Sequence, residues 1–207
     1  MGEQTEAPVW IPCGELSLEG ALGVIPSARG AVLICHPHPL FGGNMDNPVV
    51  QAIRQAFADA GYSTLRFNFR GVGRSTGAFD DGNGEQQDVR SCLEYLSNRF
   101  SGPITLSGYS FGSWVNARLL DKGLMVSDHI MVAPPVAFVS FSDISRIPST
   151  RLVVTGENDD IAPPSQVRDM MTWCGIQGPL EVLPGTDHFY NPHSLGLLYQ
   201  ILMRYAS

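Results

Sequence analysis

The chain is poor in charge, nearly free of lysine and without any long apolar run. Charged residues make up 16% of its 207 positions, too few for a chain that stays solvated and disordered. Lys122 is the single lysine among thirteen basic residues, no basic run exists, and the net charge is −7. Those features exclude nucleic acid and anionic membrane surfaces as main partners. No stretch approaches the ~20 apolar residues that a membrane-spanning helix requires. Residues Met1–Ala7 are polar, unlike the apolar segment of a secretory leader. The four cysteines, Cys13, Cys35, Cys92 and Cys174, are scattered with no C-x-x-C spacing, which excludes a zinc or dithiol motif. Cys35 and Cys92 read as small core residues, and a reduced, soluble, cytoplasmic protein is expected. A nucleotide-binding glycine loop is also missing. The loop Arg70–Gly77 holds Gly71 and Gly73 but fits neither G-x-G-x-x-G nor G-x-x-x-x-G-K-[ST].

Apolar residues are plentiful at 43%, enough for a sizeable core, and the length suits one domain over residues 1–207. Residues 9–14 and 15–24 read as two short antiparallel strands, with Leu16 and Leu18 alternating against polar neighbours. From Ala31 onward strands and helices alternate. The strands are Ala31–Cys35, Ser63–Phe69, Ile104–Leu106, Asp128–Ala133, Arg151–Thr155 and Pro179–Leu183. Helices fall at Val49–Ala60 after an Asn47 cap and Pro48, then at Glu85–Phe100, Ser113–Lys122, Pro164–Cys174 and His193–Tyr205. That rhythm predicts an α/β fold with a mainly parallel sheet and helices on both faces. The chemistry of such a sheet sits at the carboxyl ends of its strands. The connection Pro134–Pro148 is short and irregular, with room for one helical turn but not for a separate lid.

The stretch that organises the rest is Gly108-Tyr109-Ser110-Phe111-Gly112, a G-x-S-x-G between an apolar strand and a helix. That layout is a nucleophile elbow, in which the two glycines remove side chains that would collide across the turn. A serine hydroxyl needs a base, and the base needs an orienting group. Of the five histidines, His129 lies inside an apolar strand and reads as structural. His193 opens the last helix, where a cap or surface role fits. His36 precedes the serine. His188 follows the last strand, at the edge where Ser110 emerges, and is the expected base. The acid comes from Glu157, Asp159 or Asp160 after the preceding strand, with Asp159 preferred and Asp160 next. The order Ser110, Asp159, His188 is that of α/β-hydrolases.

An oxyanion hole needs two backbone donors. Phe111, just after the serine, supplies one. In the loop His36-Pro37-His38-Pro39-Leu40 the prolines have no N–H, which leaves His38 or Leu40; His38 is preferred. His36 and His38 two residues apart, with no carboxylate partner, make a poor metal site, so neither a metal nor an organic cofactor is expected. Leu40, Phe41, Tyr109 and Phe189 are candidate substrate contacts, with Phe138, Phe141 and Tyr190 as further aromatics near the site.

These pieces together resemble a known family. The segment from Ala31 through His36-Pro37-His38-Pro39 to Asn47, the run Phe69–Gly77, Gly108–Gly112, Gly156–Asp159 and Asp187-His188-Phe189 are similar to the small, lidless α/β-hydrolases. Within these they are similar to the bacterial branch of serine esterases and dienelactone-hydrolase-like proteins with a His-Pro-His-Pro loop. The resemblance implies an α/β-hydrolase fold without a large cap, with Asp159 as acid and His188 as base. Dienelactone hydrolases typically carry a cysteine nucleophile, so Ser110 points toward general ester chemistry. The expected activity is hydrolysis of small carboxylic esters through an acyl-enzyme on Ser110. Thioester or peptide hydrolysis by the same triad is the alternative, and a non-catalytic binding protein on this fold is the reading of a different class.

Overall fold

The computed structural model describes residues 5–147 and 149–206. Pro148, named above as the end of a connection, and the first four residues of the polar N-terminal segment lie outside the described residues. Eight strands form one sheet: β1 (Glu6–Cys13), β2 (Leu16–Gly23), β3 (Ala31–Cys35), β4 (Ser63–Phe67), β5 (Ile104–Tyr109), β6 (Asp128–Val132), β7 (Thr150–Gly156) and β8 (Leu180–Leu183). Their order is β1-β2-β4-β3-β5-β6-β7-β8. β1 and β2 pair antiparallel, β2 joins β4 antiparallel, and every later pairing is parallel. This is the α/β-hydrolase fold the sequence predicts, hairpin included.

Among the described residues five α-helices cover it: α1 (Pro48–Asp59), α2 (Gly84–Ser97), α3 (Phe111–Asp121), α4 (Pro164–Trp173) and α5 (Pro192–Ala206). The run Ala31–Cys35 is apolar at every position because both of its faces are covered. Val32 and Ile34 pack in one core cluster with residues of α1 and α5, while Ala31, Leu33 and Cys35 pack in a second with residues of α2 and α3. Side chains alternate across a strand, so a doubly covered strand has no polar face to show. Asn47 caps α1 by accepting from the Val49 N–H at 2.9 Å, with Pro48 in the first helical position.

Three expectations are corrected. β4 ends at Phe67, not Phe69, because the Phe69 N–H donates to the buried His36 Nε2 at 3.0 Å and leaves the ladder. The helix after Ser110 begins at Phe111, two residues early, since the Ser113 and Trp114 N–H groups already reach back to the Ser110 carbonyl. Among its described residues the connection after β6 forms turns and no helix. The sheet has its switch point between β3 and β5: β4 lies on one side of β3, while β5 to β8 run away on the other. Ligands of open α/β sheets bind outside the strand ends at such a point. The loop after β3 and the turn after β5 flank it. Among the described residues no helix is long and apolar enough to cross a membrane.

Candidate active site

Ser110 stands on the turn between β5 and α3 with φ 52° and ψ −119°, a conformation that costs a non-glycine residue on the order of 1–3 kcal/mol. A Cβ on Gly108 would lie 2.6 Å from the Gly112 carbonyl carbon. One on Gly112 would lie 2.6 Å from the Cys35 carbonyl oxygen. Neither position tolerates a side chain, which is the physical content of the G-x-S-x-G pattern. The Ser110 N–H donates to the Val132 carbonyl at 2.9 Å, so the neighbouring strand β6 holds the turn down.

His188 reaches the serine from the loop after β8. Its Nε2 lies 2.9 Å from Ser110 Oγ, and its Nδ1 lies 2.9 Å from both Asp159 oxygens. Asp159 Oδ1 also accepts from the Ile161 and Ala162 N–H groups, at 2.9 and 2.6 Å. A carboxylate that receives three N–H donors is fixed as an acceptor, so it keeps the imidazole proton on Nδ1 and the Nε2 lone pair toward the serine. All three side chains are buried or nearly so. Asp160 is exposed and Glu157 accepts from the Gly185 N–H instead; Asp159 alone meets the imidazole. The loops after β7 and β8 are tied by Glu157 N–H to Leu183 O at 2.9 Å and Asn158 N–H to Thr186 O at 2.8 Å. The Tyr109 hydroxyl donates to the His188 carbonyl at 2.6 Å, and burial pushes its pKa up, which keeps it a donor.

The loop after β3 faces the same point. The Leu40 N–H is committed to His38 Nδ1 at 3.2 Å, and those of Phe41 and Gly43 to the His38 carbonyl, both at 3.1 Å. Among the described residues no acceptor pairs with the His38 N–H, so of the two alternatives His38, not Leu40, has the free amide. The first amide of α3, that of Phe111, has no intrahelical acceptor either. His36 sets the direction of the His38 amide. Its Nε2 accepts from Phe69, so the proton lies on Nδ1, which donates to the Pro37 carbonyl at 2.7 Å. In a trans peptide the C=O and N–H point opposite ways, so pinning Pro37 O aims the His38 N–H. Gly43 allows the loop to fold this tightly: a Cβ there would sit 2.1 Å from Pro37 O. With both ring nitrogens occupied, His36 has no lone pair for a metal. Burial also lowers its pKa to about 4.

Ser110, His188, His38, Phe41, Tyr109 and Phe189 line one cavity of about 340 Å³. Leu40, an expected contact, is exposed and does not line it, and Phe141 and Tyr190 are buried in the core. Phe138 does line it, together with Asn47 and Ile161. Asn47 was legible only as a helix cap, and Ile161 carried no signal beyond its place two residues after Asp159. A depression of about 500 Å³ near Ile104 and Ser127 is larger, but it lies at the amino ends of β5 and β6, away from the triad.

Residues 21–159 match the family described as X-Pro dipeptidyl-peptidase (S15 family). The chain belongs to the S15 family. The match takes in His38, Ser110 and Asp159 and stops short of His188. An uncharacterised protein of Rickettsia prowazekii is 33% identical over 189 residues, 86% of this chain and 79% of its own length. Two solved structures extend the likeness over the whole fold. An alpha-beta serine hydrolase homologue from Coxiella burnetii is 32% identical, with all of both chains covered and a TM-score of 0.90. XC6422 from Xanthomonas campestris, a serine hydrolase without lid, is 33% identical, with 99% of this chain and 94% of that chain covered and a TM-score of 0.86. This S15 member is therefore a lidless α/β-hydrolase of serine-hydrolase type.

The remaining motifs are structural. In the loop after β4, Arg70 pairs with buried Asp88 and Arg74 with Glu19, both at 2.7 Å, so its cations are neutralised within the protein. His129 is buried against Thr150 Oγ1 at 2.8 Å, and His193 is exposed on α5. Among the described residues no three of His, Cys, Asp and Glu converge as metal ligands.

Proposed function

We propose that this protein is a carboxylesterase that hydrolyses small neutral esters through an acyl-enzyme on Ser110. The observation that carries the reading is the unbroken chain Ser110 Oγ to His188 Nε2, then His188 Nδ1 to both Asp159 oxygens, every link 2.9 Å. His188 takes the hydroxyl proton as Ser110 attacks the acyl carbon, and Asp159 stabilises the imidazolium that forms. The Phe111 and His38 amides receive the oxyanion. His188 returns the proton to the departing alkoxide, and the same groups then activate water against the acyl-enzyme. No cofactor enters any step.

The family description favours a second reading, release of dipeptides from a peptide amino terminus. Such a substrate carries an ammonium, and burying that charge requires a carboxylate partner. Among the described residues no Asp or Glu lines the cavity, which supports an ester over an N-terminal peptide. The test is a panel of short-chain esters, matched thioesters and X-Pro anilides, with fluorophosphonate labelling of the wild type and Ser110→Ala. Ester turnover and labelling that both vanish in Ser110→Ala are expected. Turnover of the anilides above the esters overturns the ester assignment, and labelling that survives Ser110→Ala overturns the nucleophile.

A further inference from the structure

The chain has ten phenylalanines, and three of them, Phe41, Phe138 and Phe189, are exposed, at 72%, 55% and 75%. All three line the Ser110 cavity. Each is set on a hydrogen-bonded turn. The Phe41 N–H donates to His38 O at 3.1 Å and the Phe138 N–H to Pro135 O at 3.0 Å. The Phe189 N–H donates to Asp187 Oδ1 at 3.0 Å. These rings therefore have fixed backbones although water reaches them.

Two of these rings cluster with His38, and the third stands against His188. On the oxyanion side, Phe41 lies 4.8 Å from the His38 ring and 5.7 Å from Phe138 at 73°, and His38 lies 6.0 Å from Phe138 at 83°. On the base side, Phe189 meets the His188 ring edge-on, at 5.8 Å and 90°. Edge-to-face pairs at such spacings gain from the ring quadrupoles beyond the area they bury. Among the described residues the cavity has no charged wall residue outside the triad. Its polar wall includes Asn47, whose Oδ1 is taken by the Val49 N–H while its Nδ2 has no acceptor among the described residues.

We propose that the cavity selects esters bearing an uncharged aromatic ring, which completes the Phe41–His38–Phe138 cluster while the ester carbonyl lies at Ser110. This deepens the ester reading and rests on it. A saturated ring of the same size buries similar apolar area but lacks the quadrupole, so paired substrates isolate the aromatic contribution.

The test measures kcat/KM by proton release for ethyl phenylacetate against ethyl cyclohexylacetate, and for benzyl acetate against cyclohexylmethyl acetate. The first pair places the ring on the acyl side and the second on the alcohol side. In one pair the aromatic ester is preferred roughly three- to tenfold. Phe41→Leu and Phe138→Leu, which keep an apolar side chain and touch no core, bring that ratio toward one, with circular dichroism melts confirming the fold. Ratios within twofold in both pairs, or a preference that neither leucine variant changes, overturn the inference and leave the ester reading standing. If none of these esters, nor p-nitrophenyl acetate, is turned over through Ser110, both fall.

Discussion

Two loops converge on Ser110 and use histidine in opposite ways. His36, after β3, has both ring nitrogens engaged by backbone groups; it is a neutral strut. His188, after β8, has one nitrogen held by a carboxylate and the other facing a hydroxyl. Both side chains are buried, so burial does not separate them. What separates them is the partner of Nδ1, a carbonyl in one case and a carboxylate in the other. A carbonyl orients the ring, whereas a carboxylate also stabilises its charged form.

The sharpest way to break this contrast is at the proton-transfer side. Ser110→Ala or His188→Ala should lower kcat for an ester substrate by about 10⁴-fold or more, with substrate binding retained. Next is Asp159→Asn. The amide carbonyl can still accept from Ile161 and Ala162, which turns the NH₂ group toward His188 and forces its proton onto Nε2, facing the serine. A loss in kcat of about 10⁴-fold is expected, against a change within about twofold for exposed Asp160→Asn. An equal loss in both variants would remove the acid from Asp159.

On the strut side the expected effect is smaller and of another kind. His36→Ala frees the Pro37 carbonyl, so the His38 N–H loses its direction, and the oxyanion loses one donor. Removing one such donor costs about 10²- to 10³-fold in kcat. KM should hold, because the donor acts on charge that develops only in the transition state. The substitution also empties buried volume, so His36→Gln, which keeps a donor near Pro37 O, should recover part of kcat. A rise in KM with kcat unchanged would show that the loop binds substrate and leaves the oxyanion to other groups.

The fold was almost wholly legible in the sequence because its signals are local. Ala31–Cys35 is apolar at five successive positions, Asn47-Pro48 caps a helix, and Gly108 and Gly112 bracket a strained turn. Ser110 and His188 followed from their places after strands. Three features were not legible, because each depends on a contact or a direction in space that residue type and order do not specify. β4 stops at Phe67 because a histidine 33 residues away takes the Phe69 amide. Leu40 and His38 are equivalent donors until the ring of one is seen to occupy the amide of the other. Leu40 and Phe41 are both exposed apolar neighbours on a three-residue helical turn, and only the direction of that turn places the phenylalanine over the serine and the leucine outside.

The smallest expected effect concerns stability in acid, and it compares the strut with a histidine that serves the fold alone. Burial lowers the pKa of His36 to about 4 and that of His129 to about 3. Both stay neutral in the native state at pH 5, while the unfolded chain protonates them near pH 6.5. Between those values the unfolded state binds more protons, so stability is complete above pH 6.5 and falls as the pH drops toward 4. Each histidine should cost about 2 kcal/mol between pH 7 and pH 5. In urea titrations at the two pH values, His129→Gln should lose less stability than the wild type by about that amount, with kcat at pH 7 unchanged because His129 lies inside β6, away from the cavity. His36→Gln should flatten the pH response equally but lower kcat. If both variants flatten the response and neither lowers kcat, His36 is a core histidine like His129 and the aim of the His38 amide is set by the prolines and Gly43 alone.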